Sequence, residues 1–287
     1  MTASPSTVNY LTFDIEDWHQ LVEWKLNGVR PACSPNVLGQ TYDILDRLAE
    51  RGVRATFFIL GLVADAHPKL VRDIASAGHE IGSHGWSHQL IYRQTRAAFA
   101  EETRRSKATL EDTLGRPIDG YRAAEFSITT QSRWALDVLA ETGFTYDSSI
   151  FPIAGSRYGI PGTPLEPHTV QTTAGPMTEV PLTAVEYGGR RWPVGGGGYF
   201  RLLPYAVTRA AIEQTNAQGR AANLYFHPYE FSRSLLIPRL APASRYVTGG
   251  RYVLFHNMNR GLNRRRFARL LSDFQFAPIK DLINRGH

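Results

Sequence analysis

ATFFILGLVADAHPKLVRDIASAGHEIGSHGWSH, residues 55–88, is the stretch that decides the fold. It opens on ATFFIL (55–60), a continuous apolar run that reads as a buried strand. PKLVRDIASAG (68–78) follows as a short helix, with proline at its start and glycine at its stop. HEIG (79–82) is strand-like again. Strand, helix and strand in such quick succession form the unit of a parallel sheet.

The unit recurs in both directions. Upstream, VNYLTF (8–13) reads as a strand. A helix follows from about Pro35, with Ser34 as N-cap; Leu38, Thr41, Leu45 and Leu48 form its apolar face and Gly52 stops it. Downstream come a helix over 95–114, a strand at GYR (120–122), a helix over 132–143 and a strand at FTYD (144–147). A further helix spans 204–219, and ANLYFH (222–227) is the last strand. This many units make either a closed or distorted β/α barrel or an open doubly wound sheet. Both gather chemistry at the carboxyl ends of the strands. Asp14, His84, Arg122, Asp147 and His227 all fall at or just after such ends. The stretch 151–203 differs: it is rich in Pro and Gly, includes GGGG at 195–198, and reads as a long excursion with short strands such as 178–182. Excursions of that kind cover a site or bind substrate.

The 287 residues suffice for one large α/β domain, and 43 % apolar with 20 % charged residues is an ordinary globular composition. No apolar run approaches the ~20 residues that span a bilayer. MTASPSTVNYLTF lacks the basic and apolar regions of an export signal, so the expected compartment is the cytoplasm. One cysteine, Cys33, excludes an internal disulfide and a cysteine-based zinc site. The net charge of +6 favours anionic partners. Part of it is local: Arg260, Arg264, Arg265, Arg266 and Arg269 accompany Phe267, Leu270, Leu271 and Phe274 at helical spacing. This reads as an amphipathic helix with a solvated arginine face, or as a contact with an anionic membrane surface at the inner face of the membrane. No nucleic-acid motif accompanies the arginines, and no nucleic-acid partner is expected.

HEIGSHGWSH (79–88) sets His84 and His88 four apart. They lie on one face if the segment after Gly82 is helical, and are then either two satisfied polar residues or half of a metal site. His79-Glu80 does not start an HExxH motif, because position 83 is Ser83. TFDIED (12–17) ends a strand with Asp14, Glu16 and Asp17, three acids whose repulsion a cation would relieve. Two histidines and one carboxylate leave a metal with open positions for water and substrate. Arg122 in RAAEFS (122–127) can fix a carboxylate. His227 in YFHPYEF (225–231) ends an apolar strand. Trp18, Trp86, Phe126, Tyr199 and Phe200 are aromatic candidates for stacking on sugar rings.

In their order and spacing these motifs resemble the polysaccharide deacetylases of the NodB-homology group, carbohydrate esterase family 4. TFDIED, HGWSH, RAAEFS, the YDSS at 146–149 and YFH look like its successive motifs, over about residues 8–230. DIEDW with YDSSIFP and the GGGYFR run look most like the subgroup associated with exopolysaccharide and exosortase loci, and about 230–287 like its C-terminal extension of a single domain, 1–287. The resemblance implies a distorted (β/α) barrel and a divalent metal, usually zinc. It makes Asp14 the general base, Arg122 the residue that positions it, His84 and His88 metal ligands, and His227 the general acid. The usual second aspartate is replaced by Ile15, so Glu16 or Asp17 completes the metal; alternation along a strand favours Glu16. Asp147 is the expected partner of His227. The implied substrate is an N-acetylated glycan or its lipid-linked precursor. A small-molecule amidohydrolase of the same fold and a non-catalytic glycan-binding protein are the competing functions.

Overall fold

The computed structural model describes residues 7–155, 157–239 and 246–283. Part of the stretch read for an export signal, residues 1–6, lies outside them. In chain order the elements are β1 (Val8–Ile15), α1 (Trp18–Asn27), α2 (Asn36–Ala49), β2 (Thr56–Ile59), α3 (Gly61–Ala66), α4 (Pro68–Ser76), β3 (Glu80–Ser83), α5 (Arg96–Leu114), β4 (Gly120–Tyr121), α6 (Trp134–Glu141) and β5 (Tyr146–Asp147). Then follow β6 (His168–Thr172), β7 (Gly175–Glu179), β8 (Ala184–Tyr187), β9 (Arg190–Pro193), α7 (Gly197–Leu202), α8 (Tyr205–Ala217), β10 (Asn223–Phe226), α9 (Tyr246–Asn257), α10 (Arg260–Asp273), β11 (Gln275–Ala277) and α11 (Ile279–Ile283).

The main sheet runs β10-β1-β2-β3-β4-β5-β7-β6, and every pairing from β10 to β7 is parallel. β1 is buried along nearly its whole length, as a strand with neighbours on both faces must be. Phe13 stacks on Phe57 at 5.1 Å and meets Phe226 at 6.1 Å, so β1, β2 and β10 share one aromatic core. α10 covers that core from outside, with Phe267 5.3 Å from Phe226.

The curl of the sheet leaves a seam instead of a continuous ladder. Beyond β7, Thr183 N donates to Asn223 O at 3.3 Å, and Asn223 N donates back to Thr183 Oγ1 at 2.6 Å. Asn223 Nδ2 also donates to Ser148 Oγ and Pro181 O, at 3.0 and 3.1 Å. The expected distorted barrel is therefore present as a parallel sheet without a closed ladder, its edges meeting through these bonds and a short backbone bridge between Gly196 and Tyr225.

Two local expectations differ. The excursion over 151–203 is largely structured: β6 and β7 form an antiparallel hairpin, as do β8 and β9. The arginine face of α10 is mostly engaged. Arg264 donates to both Asp43 carboxylate oxygens, and Arg266 to the carbonyls of Phe200, Arg201 and Leu203 at the end of α7. Arg260 donates to Asn257 Oδ1 and Ser232 O. No helix among the described residues is long and apolar enough to cross a membrane.

Candidate active site

The carboxyl ends of β1, β3, β4 and β10 converge on one cleft of about 710 Å³. β1 delivers Asp14 and Glu16 to the same side, as period-two alternation requires. Glu16 Oε2 lies 2.7 Å from His88 Nε2 and 3.9 Å from His84 Nε2. These three buried residues form a group able to hold one metal ion. Two metal–ligand bonds of about 2.1 Å at a tetrahedral angle set ligand atoms roughly 3.4 Å apart, and the observed separations bracket that value. Glu16 Oε2 is buried yet receives no hydrogen bond of acceptable geometry, which a cation would answer. One carboxylate and two imidazoles are also a donor set of catalytic zinc.

The histidines reach Glu16 by a loop, not by a helix. Residues 84–90 contain no helical turn, and the chain bends through left-handed conformations at Gly85 (φ 77°) and His88 (φ 60°). Four-residue spacing was informative, but its geometric reason is a turn. His84 Nδ1 pairs with the carbonyl of Arg122 at 2.9 Å, which turns Nε2 toward Glu16. Burial pushes the His84 pKa down to about 4, which favours the neutral imidazole that a metal requires. Burial alone would raise the Glu16 pKa; His88, His227 and His84 outweigh it and hold the carboxyl well below its ordinary range.

Beside this cluster, Arg122 Nη1 donates to Asp14 Oδ1 at 3.0 Å and to Thr12 Oγ1 at 2.6 Å. Its other nitrogens donate to Ser148 O and Ser148 Oγ at 2.9 and 2.8 Å. The guanidinium is fully buried, so the Asp14 carboxylate meets a cation that cannot swing away. Arg122 thus serves two residues at once, Asp14 through its side chain and His84 through its backbone.

His227 Nε2 stands 3.5 Å from Glu16 Oε1, and its Nδ1 stands 3.6 Å from Glu230 Oε2. Burial would lower the His227 pKa, but Glu16 and Glu230 raise it to about 9. The partner of His227 is therefore Glu230, and the expectation for Asp147 is corrected. Asp147 accepts from Ser149 Oγ and Ser149 N, and faces Glu179 behind the cleft. Glu230 could have been found in the sequence: an acid three residues after His227, with proline between them, marks a helical first turn, and Glu230 Oε2 indeed accepts from His227 N at 3.1 Å. Tyr229 has no comparable sequence signal; it stacks on the His227 ring at 4.9 Å and 21°.

Asp17 is not part of the metal group. It is the N-cap of α1, accepting from His19 N at 3.0 Å, and its carboxylate also accepts from Ser34 N and Ser34 Oγ. β1 ends at Ile15, and the chain turns at Asp17 into a helix that needs a cap. Trp86 is corrected too. Its ring packs where a Cβ on Gly61 would fall 2.3 Å away, and the Arg105 guanidinium sits 3.7 Å from its centre. Both faces are occupied, outside the cleft. Phe200 is fully buried in the core. Phe126, Tyr199 and Trp18 do line the cleft; Phe126 meets Tyr225 edge-on at 4.7 Å, and Tyr199 pairs its hydroxyl with that of Tyr158 at 2.5 Å.

The architecture is thus an open parallel α/β barrel with a buried carboxylate–bis-histidine cluster at the strand ends. The profile of the family described as polysaccharide deacetylase matches residues 3–146, half of the chain, and the chain belongs to that family. A second profile, a domain of unknown function (DUF3473), matches residues 148–284. A chitooligosaccharide deacetylase of Bradyrhizobium sp. (strain ANU 289) is 28 % identical over 131 residues, covering 46 % of this chain and 49 % of the relative. A peptidoglycan-N-acetylglucosamine deacetylase of Bacillus cereus is 27 % identical over 141 residues, covering 45 % and 50 %. The chain therefore spans about half the length of these curated relatives. Among solved structures, a Mycobacterium smegmatis protein described as a polysaccharide deacetylase shares the fold, with a TM-score of 0.62 at 20 % identity over 99 % of this chain and 92 % of that one. PuuE allantoinase shares it with a TM-score of 0.59 at 14 % identity over 95 % and 87 %.

Proposed function

We propose that the protein is a metal-dependent N-deacetylase acting on hexosamine units of a glycan. The observation that carries this reading is the buried Glu16–His84–His88 cluster, set beside an arginine-held Asp14 and facing His227. Glu16, His84 and His88 would hold a divalent ion, zinc by its donor set, which when bound supplies Lewis acidity toward an acetyl carbonyl and lowers the pKa of water. Asp14 takes the proton of the attacking water. Arg122 keeps that carboxylate aimed while Thr12 and Ser148 hold the guanidinium. An amine leaves only as it is protonated, and His227 donates that proton. Glu230, behind the ring, favours the imidazolium and orients it. Tyr229, Phe126 and Tyr199 supply apolar faces for the sugar. The names of the curated relatives, which act on chitooligosaccharide and on peptidoglycan N-acetylglucosamine, support this substrate class.

The test is acetate release from β-1,4-linked N-acetylglucosamine oligomers by zinc-loaded protein, with equal appearance of free amine. His84→Ala should lose both zinc and turnover. Asp14→Asn should keep zinc and lose turnover by about 10²-fold or more, the range for removing a positioned general base. Full zinc content and activity in His84→Ala, or no acetate from the zinc-loaded wild type, overturns the reading.

A further inference from the structure

A second groove, of about 1230 Å³, adjoins the cleft, and Arg157, Tyr158 and Tyr199 line both. The bonded hydroxyls of Tyr158 and Tyr199 are the shared wall. From His227 inward to that wall the contacts are aromatic: Tyr225 lies 5.9 Å from His227, Phe126 4.7 Å from Tyr225, and Tyr158 6.4 Å from Phe126. Together the two concavities exceed the roughly 300–1,000 Å³ that one small-molecule ligand fills. The far side of the second groove is the β8–β9 hairpin.

That hairpin presents large aromatic surface where a soluble domain normally buries it. Tyr187 is 80 % exposed and Trp192 51 %. The register pairs Val185 with Trp192 and Tyr187 with Arg190, so the two rings stand on one face as diagonal neighbours. The Trp192 ring is also tethered. Trp192 Nε1 donates to Tyr187 O at 3.2 Å, and the turn between the strands is Gly188-Gly189, both left-handed (φ 60° and 73°) as a tight two-residue hairpin requires. On the opposite face Arg191 donates to Glu186 and to Thr163 O, tying the hairpin to the preceding segment. An exposed aromatic ring already ordered before anything binds loses little entropy in binding.

We propose that this groove holds further sugar units of the same N-acetylated glycan chain, with Tyr187 and Trp192 as stacking platforms for pyranose rings. The identity of the ligand rests on the deacetylase reading; the groove itself does not depend on the metal cluster. The occupant follows from continuity: a chain that places one unit beside Glu16 and leaves past the Tyr158–Tyr199 wall runs into the hairpin. The protein then discriminates by chain length, and the DUF3473 half of the chain sets that length.

The test separates binding from catalysis. Full-length protein stripped of metal by a chelator is titrated calorimetrically with β-1,4-linked N-acetylglucosamine oligomers, from monomer to hexamer. Affinity should climb with length, the hexamer binding at least about tenfold tighter than the dimer. The double variant Tyr187→Ala/Trp192→Ala should bring the hexamer down to the dimer's affinity, and Trp192→Phe should restore most of the difference. Equal affinity at every length, or a double variant that binds as wild type does while keeping its melting temperature, overturns the proposal. So does a concentration-dependent dimer in light scattering that the double variant abolishes, because the hairpin would then be a contact between two copies. Length-dependent binding without acetate release from zinc-loaded protein keeps the groove and removes the deacetylase reading. Acetate release with equal efficiency at every length does the reverse.

Discussion

Glu16 and Asp17 are adjacent acids with unlike tasks, and the difference is one of backbone direction. Glu16 follows the end of β1 and points into the cleft, where its Oε2 meets two imidazoles. Asp17 points the other way and caps α1. Glu16→Gln should therefore lose zinc, read by metal analysis of the purified protein, with little change in the helix content. Asp17→Ala should retain zinc and lower stability by about 1 kcal/mol, the usual size of a capping contribution, read in urea melts. Zinc loss in Asp17→Ala with zinc retained in Glu16→Gln would reverse the assignment. The sequence left these two residues open because alternation along a strand decides between them only if one knows where the strand stops. It was clearer for Asp14, His84, Arg122 and His227, each of which ends an apolar strand. Glu230 is legible in its spacing from His227.

At the scale of elements, regular periodicity was readable and irregular backbone was not. The helices over Asn36–Ala49, Pro68–Ser76 and Arg96–Leu114 follow from apolar spacing and their stop signals. The loop at 84–90 is not legible as a loop, since the left-handed turn at a non-glycine, His88, has no compositional mark. β5 and β7 carry a pair of buried acids that no periodicity announces. Glu179 faces Asp147, and burial first, then the Asp147 charge, raises the Glu179 pKa well above its ordinary 4.5. The native state thus holds a proton that the unfolded chain releases. Stability from this group is full below the unfolded pKa and falls as pH rises above it. Glu179→Gln can still accept from Ile150 N and donate to Asp147, without a proton to lose. Its melting temperature should exceed the wild type's at pH 8 by about 2–4 °C, the shift that 1 kcal/mol gives a domain of this size, and the gain should shrink at pH 5. An equal gain at both pH values would show that Glu179 is ionised in the fold.

For the whole molecule, the site is the place where distant parts of the chain are brought together. Glu16, His84 and His88 come from two strand ends and are all buried. A metal that binds the native state alone should stabilise it by about 2.7 kcal/mol at one hundred times its dissociation constant. Zinc should therefore raise the melting temperature of wild type and leave Glu16→Gln unmoved; a rise of equal size in both would place the bound ion elsewhere. The parallel α/β architecture was legible because strand and helix patterns alternate along much of the chain. The seam at Asn223 was not, since it depends on hydrogen bonds between residues 40 positions apart.

β1 lies between β2 and β10 in the sheet. One flank of β1 must therefore wait for a partner made much later in the chain. Until Asn223–Phe226 leaves the ribosome, the β1 edge is a bare, apolar template open to any passing strand, and His227 does not yet exist beside Glu16. Long-range closure of this kind is slow and leaves a chain exposed to aggregation. A ribosome-stalled chain ending before β10 should bind chaperones and lack a finished site, whatever its zinc supply.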